Sequence, residues 1–335
     1  MTRRAAETPA NAHHDLSVWV LTEGHIGMEN QARGLAEAMG AVPVVKRLHP
    51  RLPWRFLPPR LWPMPLRAPG TEGDALAPPW PDVLITCGKR ATAPSLAIRK
   101  ASRGRTFTVH IQDPPFAASA FDLLVVPAHD RLRGLNVLVT QAAVHRVTRT
   151  RLDEAAAALA PTLEAIPHPR VAVLIGGSNR KHKAGEAAFE HLAQQLAELS
   201  RGEGVGLLVT PSRRTGAQNE AILRHHLTGL PAEVWDGRGA NPYFGYLGLA
   251  DFVIVSRDSV SMVSEACASG KPVYTARLAS NSRRLDTFHK TLESAGISRP
   301  FEGVLESWTY QPLDDTANAA AAILARLGAR APATD

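Results

Sequence analysis

Asp258, Ser261 and Glu265 occur at positions i, i+3 and i+7 of a segment that reads as a helix, a spacing that puts all three on one face. Val260, Val263 and Cys267 then take the opposite face and go to the core, and Asp258 or Ser259 can cap the helix. Residues 252–255 just before it are an unbroken apolar run, as expected of a strand covered on both faces of a parallel sheet. Gly270 ends the helix, Pro272 forbids its continuation, and Val273 begins another strand. A carboxylate, hydroxyls and free amides thus gather at the carboxyl end of a parallel strand, where open α/β sheets take their ligands. Glu265 is suited to a pair of ribose hydroxyls. An ordinary solvated helix face would show similar residues, and the strand-end location decides against it.

Two further strand ends carry phosphate chemistry. Gly176 and Gly177, followed by Ser178 and Asn179, let backbone amides approach an anion closely, and Arg180, Lys181 and Lys183 lie in the same loop. Arg213 and Arg214, in the run Thr210-Pro211-Ser212-Arg213-Arg214-Thr215, have the geometry to grip a diphosphate. A plain tight turn and a surface ion pair are the alternatives at these two places. Asn241 and Tyr243 open what reads as a loop before residues 252–255, and Tyr243 or Trp235 can stack on a base or simply anchor the loop. Displacement at an anomeric carbon also needs a base for the acceptor hydroxyl. His25, Glu29 and Asp113 are the candidates in the first half, although Asp113 before Pro114-Pro115 equally suits a turn.

The elements that must position these residues alternate between strand and helix. Residues 16–22 read as a strand, 23–29 as a tight turn containing Gly24, His25 and Gly27, and 30–39 as a helix carrying Gln31 and ending at Gly40. Strands follow at 83–86, 107–111, 123–126 and 137–139, with a helix at 93–100. Residues 151–169 look like a connection punctuated by Pro161, Pro167 and Pro169. A second series then begins, with strands at 171–175, 206–210, 233–235, 252–255 and 273–275 and helices at 185–199, 218–227 and 284–295. The expected fold is α/β with two Rossmann-like domains: residues 1–150, a linker at 151–169, a nucleotide-binding domain at 170–312, and a terminal helix and tail at 313–335.

The Asn241–Val273 block resembles the donor-binding segment of B-type glycosyltransferases, which have two Rossmann-like domains facing across a cleft. In the peptidoglycan lipid-intermediate transferase a similar Ser-Glu pair follows a similar Ala-Asp strand, and Glu265 matches the ribose-binding glutamate. A resemblance to the family of the plant mitochondrial-fission factor, the elongated-mitochondria type, covers nearly the whole chain. It rests on Gly24-His25-Ile26-Gly27 with Gln31, Gln112-Asp113-Pro114, Phe121-Asp122 with Val126-Pro127, Ile175-Gly176-Gly177, Ser212-Arg213-Arg214-Thr215 and the Asn241–Val273 block. The first resemblance implies a nucleotide-diphosphate sugar as substrate and a last helix that crosses back to the first domain; the second also admits a non-catalytic adaptor that recruits a partner to a membrane. Members have been labelled nucleoside-diphosphate-sugar epimerases. Hydride chemistry lacks its parts here, since no Gly-x-x-Gly-x-x-Gly follows a strand and no tyrosine has a lysine four residues on.

With 335 residues the chain has ample material for two cores. Cys87 and Cys267 sit in apolar contexts and read as reduced thiols, the thirteen histidines lack zinc spacing, and no Asp-x-Asp pair offers a divalent-ion site. No metal and no cofactor is expected. The absence of a long apolar run and of a signal-type amino terminus points to a cytoplasmic protein. Its net charge of +7 is uneven: residues 1–150 hold 19 Lys and Arg against 11 Asp and Glu, and the remainder 19 against 20. Lys46, Arg47, Arg51, Arg55, Arg60 and Arg67 follow one another with no acid between them, interleaved with Trp54, Phe56 and Trp62. Such a segment suits an anionic membrane surface with its indoles at the headgroups, or a proline-rich surface loop with snorkelling arginines. No recognition motif for nucleic acid accompanies the charge.

Overall fold

The computed structural model describes residues 16–178, 184–278 and 283–330, and the chain divides into two compact units. The first carries β1 (Val18–Thr22), α1 (Ile26–Ala38), β2 (Val44–Arg47), β3 (Val83–Cys87), α2 (Thr92–Ala101), β4 (Phe107–Ile111), β5 (Leu123–Pro127) and β6 (Val137–Thr140). They form a parallel sheet in the order β2-β1-β3-β4-β5-β6. Its four central strands are buried along their whole length, and only the edge strands β2 and β6 meet solvent. Polar residues inside it are paired. Thr86 Oγ1 lies 2.8 Å from His110 Nδ1, and burial pushes the His110 imidazole down to about 3, so the ring is neutral. Asp122 accepts from the Thr108 amide and hydroxyl at 2.9 and 2.8 Å and from two Arg99 nitrogens at 3.1 and 3.0 Å. Burial alone would raise its carboxyl, but these donors outweigh burial and hold it low. The Phe121-Asp122 pair is therefore an anchor of this sheet.

The second unit carries α3 (Arg149–Leu159), β7 (Arg170–Ile175), α4 (Glu186–Glu203), β8 (Gly206–Pro211), α5 (Ala217–Leu227), β9 (Ala232–Val234), α6 (Tyr243–Leu249), β10 (Phe252–Ser256), α7 (Val260–Ala268), β11 (Val273–Ala276), α8 (Arg283–Ser294) and β12 (Ser298–Pro300). Its sheet, again parallel, runs β12-β11-β10-β7-β8-β9. Numbered from its own first strand, this is the 3-2-1-4-5-6 order of a doubly wound dinucleotide-type fold, whose switch point falls between β7 and β10. Residues 151–169, expected as a linker, belong to this unit. They complete α3, which packs on α6 so closely that a Cβ on Gly248 would stand 2.5 Å from the Leu152 carbonyl oxygen. Hence the segment opened by Asn241 and Tyr243 is a helix rather than a loop: Gly245 and Gly248, three apart, give α3 a flat face to meet.

The last helix, α9 (Asp315–Arg330), belongs to the first unit. Its Ala319, Ala320 and Ile323 share a core with Ala32, Leu35 and Ala36 of α1 on one face of the first sheet. Gly34 lets α1 close on Val144–Arg146, since a Cβ there would lie 2.2 Å from the His145 carbonyl oxygen. The opposite face is covered in part by the acid-free segment. Trp54 and Trp62 are only 7% and 6% exposed and cluster with Trp19, Leu21, Leu84 and Ile98. Their indole N–H groups donate to the carbonyls of Pro63 and Leu57 at 2.6 and 2.9 Å. The expectation that these indoles sit at a membrane interface is corrected: they are core residues that hold the loop shut.

Candidate functional site

The carboxyl ends of β7, β8 and β10 in the second unit bring together much of what the sequence singled out. Gly176 leaves β7 with its N–H donated to Ser256 Oγ at 2.7 Å. Gly177, at φ +155°, donates to Asp258 Oδ2 at 3.1 Å. Both glycines are required by crowding. A Cβ on Gly176 would strike the Asp258 carboxylate at 2.3 Å, and one on Gly177 would strike the Arg214 carbonyl oxygen at 2.0 Å. Ser178 N–H donates to that same carbonyl at 3.1 Å. Thr215 Oγ1 and Ser212 Oγ donate to Gly176 O at 2.6 and 3.2 Å. The loops after β7 and β8 are thus stitched into one turn system at the switch point. Asn179 lies outside the described residues.

Asp258 does not share a helix face with Ser261 and Glu265. Helix α7 begins at Val260, capped by Ser259, whose Oγ accepts the Met262 N–H at 3.4 Å. Asp258 precedes it and turns toward the glycines. Its side chain is 4% exposed and its Oδ2 meets Arg214 Nη1 at 2.7 Å. Arg214 is therefore committed to an internal ion pair and is corrected as a free phosphate clamp. Arg213 beside it is exposed and has no ion-pair partner among the described residues. Glu265, at the middle of α7, is 5% exposed and accepts the Tyr243 hydroxyl at 2.7 Å. Burial, and then the Glu265 charge, raise the Tyr243 phenol well above its ordinary value, so it stays a donor. Asn241 Oδ1 accepts the Tyr243 N–H at 3.0 Å, which sets the start of α6. The Tyr243–Glu265 contact escaped sequence reasoning because no pattern over twenty-two positions signals it.

In the first unit, the turn after β1 is shorter than expected. Gly24 has φ +81°, His25 is already the N-cap of α1, and Gly27, Glu29 and Gln31 lie inside that helix. Glu29 is 8% exposed and accepts Arg47 Nε and Nη2 at 2.9 and 3.0 Å, with Arg33 at 3.8 Å. That arrangement is an ion pair joining α1 to β2 and corrects Glu29 as a general base. The pairing also takes Arg47 out of the set of membrane-facing cations. His25 and Asp113, at the carboxyl ends of β1 and β4, are exposed. Among the described residues, no group of His, Cys, Asp and Glu is arranged to hold a metal ion, and no helix is long and apolar enough to cross a membrane. Both cysteines are buried free thiols.

Residues 26–327 match the family described as mitochondrial fission ELM1. The chain belongs to this family. It is 31% identical to the mitochondrial fission protein ELM1 of Arabidopsis thaliana over 277 residues, 75% of this chain and 65% of the plant protein, so it spans about two thirds of that relative's length. A second relative is an uncharacterised protein of Rickettsia prowazekii, 24% identical over 341 residues that cover 90% of this chain and 95% of the other. Among solved structures, the UDP-GlcNAc 2-epimerase of Methanocaldococcus jannaschii matches 93% of this chain and 99% of its own at TM-score 0.54 and 8% identity. The Neisseria meningitidis enzyme bound to UDP-GlcNAc matches 94% and 100% at TM-score 0.52 and 12% identity. These likenesses establish the fold: the chain has the two Rossmann-like domains of the B-type transferase and epimerase architecture.

Proposed function

We propose that this protein binds a nucleotide-diphosphate sugar in its second unit and transfers the sugar to a lipid-linked or cell-envelope acceptor. The observation that carries the proposal is Glu265, a buried carboxylate fixed by the Tyr243 hydroxyl on the helix that leaves β10, beside the switch point where folds of this order bind nucleotides. Proteins of the same architecture have been solved with UDP-GlcNAc and with UDP. On this reading Glu265 accepts the ribose hydroxyls, and the amides around Gly177 and Ser178 together with Arg213 receive the diphosphate. The acceptor hydroxyl oxygen attacks the anomeric carbon, the bond to the diphosphate oxygen breaks, and the hydroxyl proton passes to a general base. Charge on the departing diphosphate is met by the arginine and the amides, so the scheme requires no divalent ion.

A second reading is a non-catalytic adaptor. The committed state of Glu29 with Arg47 and of Arg214 with Asp258 favours it, because two groups that chemistry would use are spent on structure. Calorimetry with UDP, GDP, ADP and their sugars separates the two readings. Specific binding of one nucleotide, weakened by about 1.5–3 kcal/mol in a folded Glu265→Ala variant, supports the transferase. A chain that binds none of them leaves the adaptor.

A further inference from the structure

We propose that the closed loop over residues 50–69 is a membrane-docking surface, which places Leu52, Phe56, Leu61 and Met64 in the interface of an anionic bilayer while Arg51, Arg55, Arg60 and Arg67 meet its headgroups. It deepens the membrane-facing half of the functional reading above and is independent of sugar transfer.

The loop is a built structure. Pro50 pairs with Pro69 at its neck, and Arg51 N–H donates to Ala68 O and Gly70 N–H to His49 O, both at 3.0 Å. The two tryptophan N–H bonds described above pin it from within, and Arg60 Nε donates to the carbonyl of Pro115. The same loop that buries two indoles leaves Leu52 64%, Phe56 80%, Leu61 65% and Met64 60% exposed. Scattered exposed apolar side chains need no explanation, but a concentration does. Of the ten large hydrophobic residues exposed in the described chain, four lie within these thirteen positions.

The charges identify the occupant. No acid occurs from Pro50 to Thr71, and none of the four arginines has an acidic partner among the described residues. Three of them are each followed directly by an exposed apolar residue, as Arg51-Leu52, Arg55-Phe56 and Arg60-Leu61. Neighbouring cation and hydrocarbon is the demand of a lipid interface, where the apolar group enters the acyl boundary and the arginine stays among phosphates. The tryptophans contribute by holding the loop, from the inside.

The test is co-sedimentation of the full chain with vesicles of phosphatidylcholine plus phosphatidylglycerol and with vesicles of phosphatidylcholine alone. The wild type should favour the anionic vesicles and lose binding as salt rises. The double variants Phe56→Ser/Leu61→Ser and Arg55→Ser/Arg67→Ser should each weaken partition by about tenfold or more, with the salt dependence kept in the first and reduced in the second. Their melting temperatures should match the wild type, because the altered side chains are exposed. Wild-type binding that both variants retain in full overturns the loop while leaving another membrane surface. Failure of the wild type to bind anionic vesicles at low salt overturns both the loop and the membrane-facing reading. Nucleotide calorimetry on the same samples reports on sugar transfer separately.

Discussion

Replacing Asp258 by alanine should destabilise the second unit by about 2–4 kcal/mol. Two contributions add. The Gly177 N–H is buried and loses its acceptor, which costs about 1–3 kcal/mol when no water replaces it. The ion pair with Arg214 is lost as well. Removing one partner from a fully buried pair costs about 3–5 kcal/mol, but the Arg214 side chain is 36% exposed and can re-solvate, so about 1 kcal/mol is the fair share. Urea unfolding followed by far-ultraviolet circular dichroism reads the change as a lower midpoint at unchanged slope. The variant Arg214→Ala should cost less than Asp258→Ala, since Asp258 keeps the Gly177 amide. The double variant should fall short of the sum by about 0.5–3 kcal/mol, the coupling of groups in contact. Arg213→Ala should leave the midpoint in place. A loss under about 0.5 kcal/mol for Asp258→Ala, or full additivity with Arg214→Ala, would refute the internal role of this pair and return Arg214 to the ligand.

Other outcomes follow from single contacts. Tyr243→Phe removes the donor to Glu265 and should cost about 1.5–3 kcal/mol of nucleotide affinity or of second-unit stability; a variant equal to the wild type in both measurements would make the contact incidental. Gly34→Ala drives a methyl group into the His145 carbonyl and should lower the stability of the first unit by about 1–3 kcal/mol, the range for overpacking, as read by thermal unfolding. His110 and His289 are held neutral by burial, with pKa values lowered to about 3 and about 4. The unfolded chain binds their protons below about 6.5 and the folded chain does not, so stability should fall with pH from 6.5 toward 4 at up to about 1.4 kcal/mol per pH unit for each histidine. Nitrogen NMR of labelled histidine at pH 5 should show both rings uncharged, and a ring of either residue titrating between pH 6 and 7 would contradict the burial argument.

The two sheets were legible because their central strands are unbroken apolar runs, and a run such as 171–175 has the length and flanking residues of a strand covered on both faces. Glu265 and the Gly176-Gly177 pair were legible for a related reason: their position follows from the strand just before them. The partners of these groups were not. Asp258 was assigned to a helix face by spacing, whereas the cap falls at Ser259, and one residue's difference turns Asp258 toward Gly177. Glu29 read as a free carboxylate because Arg47 lies on a strand eighteen residues away. Trp54 and Trp62 read as interfacial because composition cannot tell the inner side of a closed loop from its outer side. Helix α6 was hidden by Pro242, Gly245 and Gly248, residues of low helix propensity, and its packing on α3 overrides that propensity.

The membership of α9 in the first unit has a consequence for the order in which the protein is made. A ribosome delivers β1 to β6 early, yet Ala319, Ala320 and Ile323, which finish the α1 side of that core, emerge only after the second unit. The second unit, by contrast, is supplied almost as one continuous stretch. Synthesis therefore places the later unit in a position to close first, while the earlier one keeps an unfinished apolar face until the final helix arrives. The length of that interval is set by the time taken to translate everything between β6 and α9.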